Sequence, residues 1–115
     1  MNKLKFELNN IVDFSGPNSI DYNNEIKIII HYRRHSKELF ISHFFVPTNN
    51  REQGIGTKYY KYIKEYAYNN NDINKFKFHI KKNTSSMIWL QSLNEEYTKT
   101  KVSGVGEVYQ IDYRV

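Results

Sequence analysis

The chain has 115 residues, no cysteine, and a formal charge of +5 from 17 basic and 12 acidic residues. That length suits one domain with a modest core, and the lack of Cys excludes disulfides, thiol nucleophiles and cysteine metal sites. Hydrophobic residues make up 39% and aromatics 16%, with ten Tyr and seven Phe, enough apolar surface to offset the ordering entropy and exclude disorder.

Met1-Asn2-Lys3-Leu4-Lys5 leads into no apolar run of the signal-peptide kind, so a cytoplasmic location is expected. Leu4, Phe6 and Leu8 alternate with Lys and Glu and predict a half-buried strand over residues 3–8. Residues 9–24 have no clear period, and Ser15-Gly16-Pro17-Asn18 is a turn signal. Glu25 to Arg34 is a β-branched strand with Ile26, Ile28 and Ile30 on one face. Its triple Ile falls far short of the roughly 20 apolar residues of a membrane span. His35-Ser36-Lys37 connects it to Glu38–Val46, a strand apolar on both faces and therefore central.

Pro47-Thr48-Asn49-Asn50 breaks that strand, and Arg51 to Gly56 forms a glycine-containing loop. A helix is predicted from about Thr57 to Asn69, with Tyr59, Tyr60, Ile63, Tyr66 and Ala67 on a broad apolar stripe. The polar Asn69-Asn70-Asn71-Asp72 loop follows, then a strand over Ile73–Ile80. Asn83-Thr84-Ser85-Ser86 offers caps to a second helix carrying Met87, Leu90 and Leu93, with Trp89 alongside. Lys101 to Val115 reads as a hairpin turning at Gly104-Val105-Gly106. The expectation is a single α+β domain over 1–115, with a mixed, mostly antiparallel sheet of about six strands and two main helices.

The informative segment is Arg51-Glu52-Gln53-Gly54-Ile55-Gly56-Thr57, between the central strand and a helix. A loop opening a helix there leaves backbone N–H groups unpaired, and the helix dipole adds positive potential, which suits phosphate. Gly54 and Gly56 let the backbone approach a pyrophosphate, and Arg51 adds a fixed charge. The Walker spacing does not fit, because one residue separates the glycines. A dinucleotide fingerprint fails because Tyr59 stands where a third small residue is needed. A chance glycine turn between strand and helix is the plain alternative.

Arg51-x-x-Gly54-x-Gly56 resembles the acyl-CoA loop of the GNAT N-acetyltransferases. Val46 stands five residues before Arg51, as the valine ending that family's central strand does, and Asn83-x-x-Ser86-Met87 resembles its Asn-x-x-Ala-Ile opening of the next helix. The resemblance covers about residues 39–94. It implies that the central strand and the strand after the helix splay apart at the acyl-CoA site. The backbone of Gln53, Gly54, Ile55, Gly56 and Thr57, with Arg51 near, would hold the pyrophosphate of coenzyme A. Phe44, Phe45 and Val46 would meet pantetheine through their backbone, with Asn83 on the other side. The net positive charge would then have the CoA phosphates as its partner.

The same resemblance exposes departures. The family's proton-donating Tyr falls on Leu90, leaving Tyr97, seven residues further on, as the candidate acid. The usual positions of the base fall on Ser42 and Phe40, neither a base; Glu38 lies on the same face by alternation and would act through a water held by Ser42. His43 is chemically suited, with an ordinary pKa near 6.5, but alternation turns it away unless the strand carries a bulge. His31, His35 and His79 have no ligand spacing with a carboxylate, so no metal site is expected. Family members usually place two helices between their first two strands as an acceptor wall, for which 9–24 is too short. The acceptor site would be open, loop-built or completed by a second subunit in a homodimer.

Three functions follow. The first is an acetyl-CoA-dependent N-acetyltransferase whose amine acceptor is a protein or other large substrate, with no membrane association. The second is a GNAT-like CoA-binding or inhibitory module without catalysis. The third, which this reading disfavours, is a basic nucleic-acid-binding domain stacking bases on Tyr59, Tyr60, Tyr62, Tyr66 and Tyr68, at least half of which the helix periodicity assigns to the core.

Overall fold

The computed structural model describes residues 2–14, 16–22, 26–45, 54–82 and 84–114. In chain order these form α1 (Asn2–Phe14), β1 (Gly16–Tyr22), β2 (Ile26–Arg33), β3 (Glu38–Phe45), α2 (Ile55–Tyr68), β4 (Lys75–Lys81), α3 (Thr84–Leu93), β5 (Thr98–Val102) and β6 (Gly106–Arg114). The six strands make one sheet in the order β1-β2-β3-β4-β6-β5. Only β3 and β4 run parallel, because α2 crosses over between them; the other neighbours are antiparallel. The α+β architecture and a sheet of six strands agree with the sequence reading, although the first strand is not the one it predicts.

The N-terminus corrects the sequence reading. Residues 3–8 belong to a helix, not a strand, which brings the helices among the described residues to three. Leu4 and Leu8 are fully buried and Ile11 and Val12 nearly so, a stripe at helical spacing, whereas Phe6 is 66% exposed. Leu4 and Leu8 satisfy both periods, and the helical one prevails because Ile11 and Val12 extend it. The turn signal at 15–18 is likewise overridden: Gly16 and Pro17 open β1, where they pair with Tyr32 and His31. β1 is an edge strand, the place where a proline's missing N–H costs no ladder bond.

The core occupies one side of the sheet. Ile28, Ile30, Leu39, Ile41, Phe76, Phe78 and Ile111 point into it and are fully buried. Leu4 and Leu8 of α1, Tyr60, Ile63 and Ala67 of α2 and Leu90 of α3 close over them in the same cluster. All three helices therefore cover one face. The opposite face carries the alternate residues, Glu38 and Phe40 on β3 and Lys77 and His79 on β4. No helix among the described residues lies on that face.

Candidate functional site

The β3–β4 pairing is short. Cα partners run only from Glu38↔Lys75 to Ile41↔Phe78, although β3 continues to Phe45 and β4 to Lys81. Beyond Ile41 and Phe78 the two strands part, leaving an opening in the middle of the sheet. β3 stays laddered to β2 on its other edge, with Phe44 opposite Ile28 and Phe45 opposite Lys27. The β4-facing edge of Phe44 and Phe45 therefore borders the opening.

A β-bulge sits where the strands separate. Ile29 pairs with His43 and Ile30 with Ile41, so Ser42 is the extra residue. The bulge reverses the parity of everything after it. Phe44 joins Ile41 on the helix-covered face, and His43, opposite Ile29, joins Glu38 and Phe40 on the open one. The condition on which the sequence reading turned His43 away is thus lifted.

On the helix-covered side, aromatic rings fill the opening. Phe44 lies against Phe78, with ring centroids 5.4 Å apart, and Trp89 stacks on Phe44 at 5.5 Å and 17°. The indole Nε1–H donates to Thr57 Oγ1 at 2.9 Å, tying α3 to the first turn of α2. The sequence reading put Trp89 merely alongside the core stripe.

Gly54 precedes α2 with φ 71°, a left-handed conformation that costs side-chain-bearing residues energy. Its carbonyl accepts from the N–H of Lys58 at 3.0 Å, closing the first helical turn. Gly54 at the N-cap position has no side chain to cap this helix, and the first turn holds no acid. The first-turn amides of Ile55, Gly56 and Thr57 point out of the helix N-terminus by construction, with the positive end of the dipole behind them. Of the expected cofactor residues, Phe44, Phe45, Gly54, Ile55, Gly56 and Thr57 are described. Val46, Arg51, Gln53 and Asn83 lie outside the described residues.

The three catalytic candidates are in different places. Glu38 lies at the closed end of the β3–β4 pair, where Arg33 Nη1 donates to Oε1 at 2.8 Å and Lys77 Nζ stands 3.8 Å from Oε2. Ser42 is at the bulge, with its Oγ 2.9 Å from His31 Nε2. The Tyr97 hydroxyl reaches back to Met87 Sδ in the first turn of α3, at 3.7 Å, while its ring packs edge-on against Tyr109. Leu90, at the family's Tyr position, is buried in the core.

His31 is the group that sequence reasoning passed over, because it stands on β2 rather than on the central strand. Burial, and then the nearby Arg33 charge, push its pKa below the usual imidazole value. It stacks on Phe40, whose other side meets the edge of His79 at 4.7 Å. His79 Nε2 is bonded to Gln110 Oε1 at 2.8 Å. Two imidazoles thus flank the opening on the uncovered face. Among the described residues no group of three or more His, Cys, Asp or Glu side chains could hold a metal, and no helix is long and apolar enough to cross a membrane.

Comparison with known proteins places the fold. The chain is similar to an IAA acetyltransferase from Bacillus cereus, with 13% identity over 79% of this chain and 70% of that one and a TM-score of 0.56. It is also similar to a point mutant of the spermidine N-acetyltransferase SpeG from Vibrio cholerae, with 7% identity over 98% and 74% of the two chains and a TM-score of 0.60. No protein-family model and no curated protein matches the sequence. At these identities the likeness is one of fold: the chain has the GNAT acetyltransferase fold.

Proposed function

We propose that this chain binds acetyl-CoA and transfers its acyl group to an amine. The observation that carries the reading is the parting of β3 and β4 next to a helix N-terminus that opens on a glycine. The first-turn amides of α2 suit a pyrophosphate, and the β4-facing edge of β3 at Phe44 suits the amides of a pantetheine arm, as an added strand would. The absence of an acid in the first turn of α2 leaves the dipole uncompensated for a polyanion.

In this reading the acceptor amine enters from the uncovered face, where Ser42, His31 and His79 surround the opening. The neutral His31, through Ser42 Oγ, is placed to take the proton that the attacking amine gives up. Tyr97 is the candidate donor to the departing thiolate, because its hydroxyl returns to the first turn of α3. Glu38, engaged by Arg33 and Lys77, instead anchors the cations around Phe40.

Thermal unfolding with acetyl-CoA tests the cofactor half. A ligand selective for the native state at about 100 times its Kd adds about 2.7 kcal/mol, a rise of roughly 10 °C for a domain of this size. Gly54→Asp places an anion beside the amides and abolishes the rise, whereas the neutral Gly54→Asn, which also tolerates φ > 0, keeps most of it. An unchanged melting temperature with millimolar acetyl-CoA would falsify the reading.

A further inference from the structure

The uncovered face of the sheet has a composition of its own. Among the described residues, strand alternation and register bring six cationic residues to it: Lys27 and Arg33 on β2, Lys75, Lys77 and Lys81 on β4, and Arg114 on β6. Against them stand Glu38 and Asp112, with Asp21 of β1 paired to Lys27 in the ladder. The surplus of three charges on this one face is more than half of the +5 carried by the whole chain. Glu38 is already shared between Arg33 and Lys77. Lys27, Lys81 and Arg114 are exposed. The sequence hid this concentration, because its basic residues look dispersed and only the period-two alternation gathers them.

The face also surrounds the mouth of the β3–β4 opening. His43, exposed, and His79 line that mouth with Ser42, and Gln110 holds His79 in place. An incoming molecule therefore meets imidazole, amide, hydroxyl and cationic donors, which match carboxylate oxygens. Among the described residues, open stacking surface there is confined to Phe45, 47% exposed at the end of β3. Phe40 is 9% exposed and is covered by His31, His79, Arg33 and Lys77. A platform for unstacked bases needs open aromatic faces, so the chemistry favours an acidic polypeptide over a single-stranded nucleic acid.

We infer that the open face selects the acceptor, and that the acceptor is a polypeptide whose reactive amine lies among Asp or Glu residues. This rests on the acyl-CoA reading above. A polyamine crossing the same surface meets like charge, so the field discriminates by sign before any contact at the opening.

The test measures binding, so it needs no turnover. A fluorescein-labelled peptide of Glu residues with one central Lys is titrated by anisotropy, alongside the same peptide with Gln for Glu, spermidine as competitor, and an oligo-dT strand. The expected result is at least tenfold tighter binding of the Glu peptide than of the Gln peptide, weakening from 50 to 300 mM salt and persisting with saturating acetyl-CoA. Lys27→Glu/Lys75→Glu should lose at least tenfold, while Lys61→Glu, on the outer side of α2, stays within twofold; circular dichroism checks that each variant folds. Equal binding of the two peptides, an equal loss in Lys61→Glu, or displacement of the peptide by acetyl-CoA overturns the inference. Preference for oligo-dT overturns it in favour of a nucleic-acid face. Failure of the acetyl-CoA thermal shift with peptide binding intact removes the acyl-transfer reading and with it the acceptor role. Failure of peptide binding with the shift intact removes only the acceptor class.

Discussion

At the scale of the residue, His31 has the clearest measurable consequence. Its folded-state pKa lies below the ordinary value of 6.5, first through burial and then through Arg33. In the unfolded chain the imidazole returns to that ordinary value, so below it the unfolded state binds more protons than the folded one. The stability contribution is therefore full above pH 6.5 and is lost as the pH falls towards the folded-state pKa. We expect a melting temperature that is level from pH 8 to about 7 and declines below about 6.5, with a shallower decline over that window for His31→Asn. A melting temperature that rises on acidification to pH 6 would contradict this assignment. The pairing of His31 with Ser42 was not legible beforehand, because it depends on a bulge. One inserted residue changes which side chains share a face, and no sequence period records it.

At the scale of the element, the tie between α3 and the start of α2 is the contact most open to dissection. Trp89→Phe keeps an aromatic ring over Phe44 and removes the N–H that Thr57 accepts; Thr57→Val removes the acceptor while keeping the branched shape. Each should cost about 1 kcal/mol in urea unfolding followed by circular dichroism. The double variant should cost less than the two singles together, because both remove the same bond. Strict additivity would show that the bond contributes nothing. The elements themselves were legible to different degrees. β2 and β3 are β-branched or aromatic runs joined by a short connection, and β4 alternates cleanly, so one period dominates each. Leu4, Phe6 and Leu8 alternate as a strand would, but Leu4 and Leu8 fit a helix as well, and only burial of Ile11 and Val12 decides between the two periods. Of the candidate site, the Gly54–Thr57 turn was visible as a glycine pattern. The stacking of Trp89 on Phe44 needed the crossover geometry.

At the scale of the whole molecule, the division of the sheet into a helix-covered and an uncovered face makes α1 part of the one buried cluster among the described residues. Its Leu8 is fully buried among residues from β2, α2 and β4, rather than belonging to an appended helix. Further ties hold α1 in place: Tyr66 of α2 donates its hydroxyl hydrogen to Asn9 Oδ1, and Arg34, just after β2, donates to the Asp13 carbonyl. Leu8→Ala removes a side chain with no solvent to replace it, so it should cost about 2–5 kcal/mol from transfer and cavity terms together. A domain of this size has a total stability of only about 5–15 kcal/mol, so the loss should be visible as a large shift of the denaturation midpoint. Two probes decide how it is distributed. Far-ultraviolet circular dichroism follows all helices, whereas the fluorescence of Trp89, the chain's one Trp, reports from α3, where its ring meets Tyr60 of α2. If the molecule is one cooperative unit, Leu8→Ala moves both transitions by the same amount and they stay coincident. If α1 unfolds separately, the dichroism shifts while the Trp89 transition stays with the wild type. We expect coincidence, because a single cluster covers one face of a continuous sheet and no second core exists among the described residues to hold the remainder together.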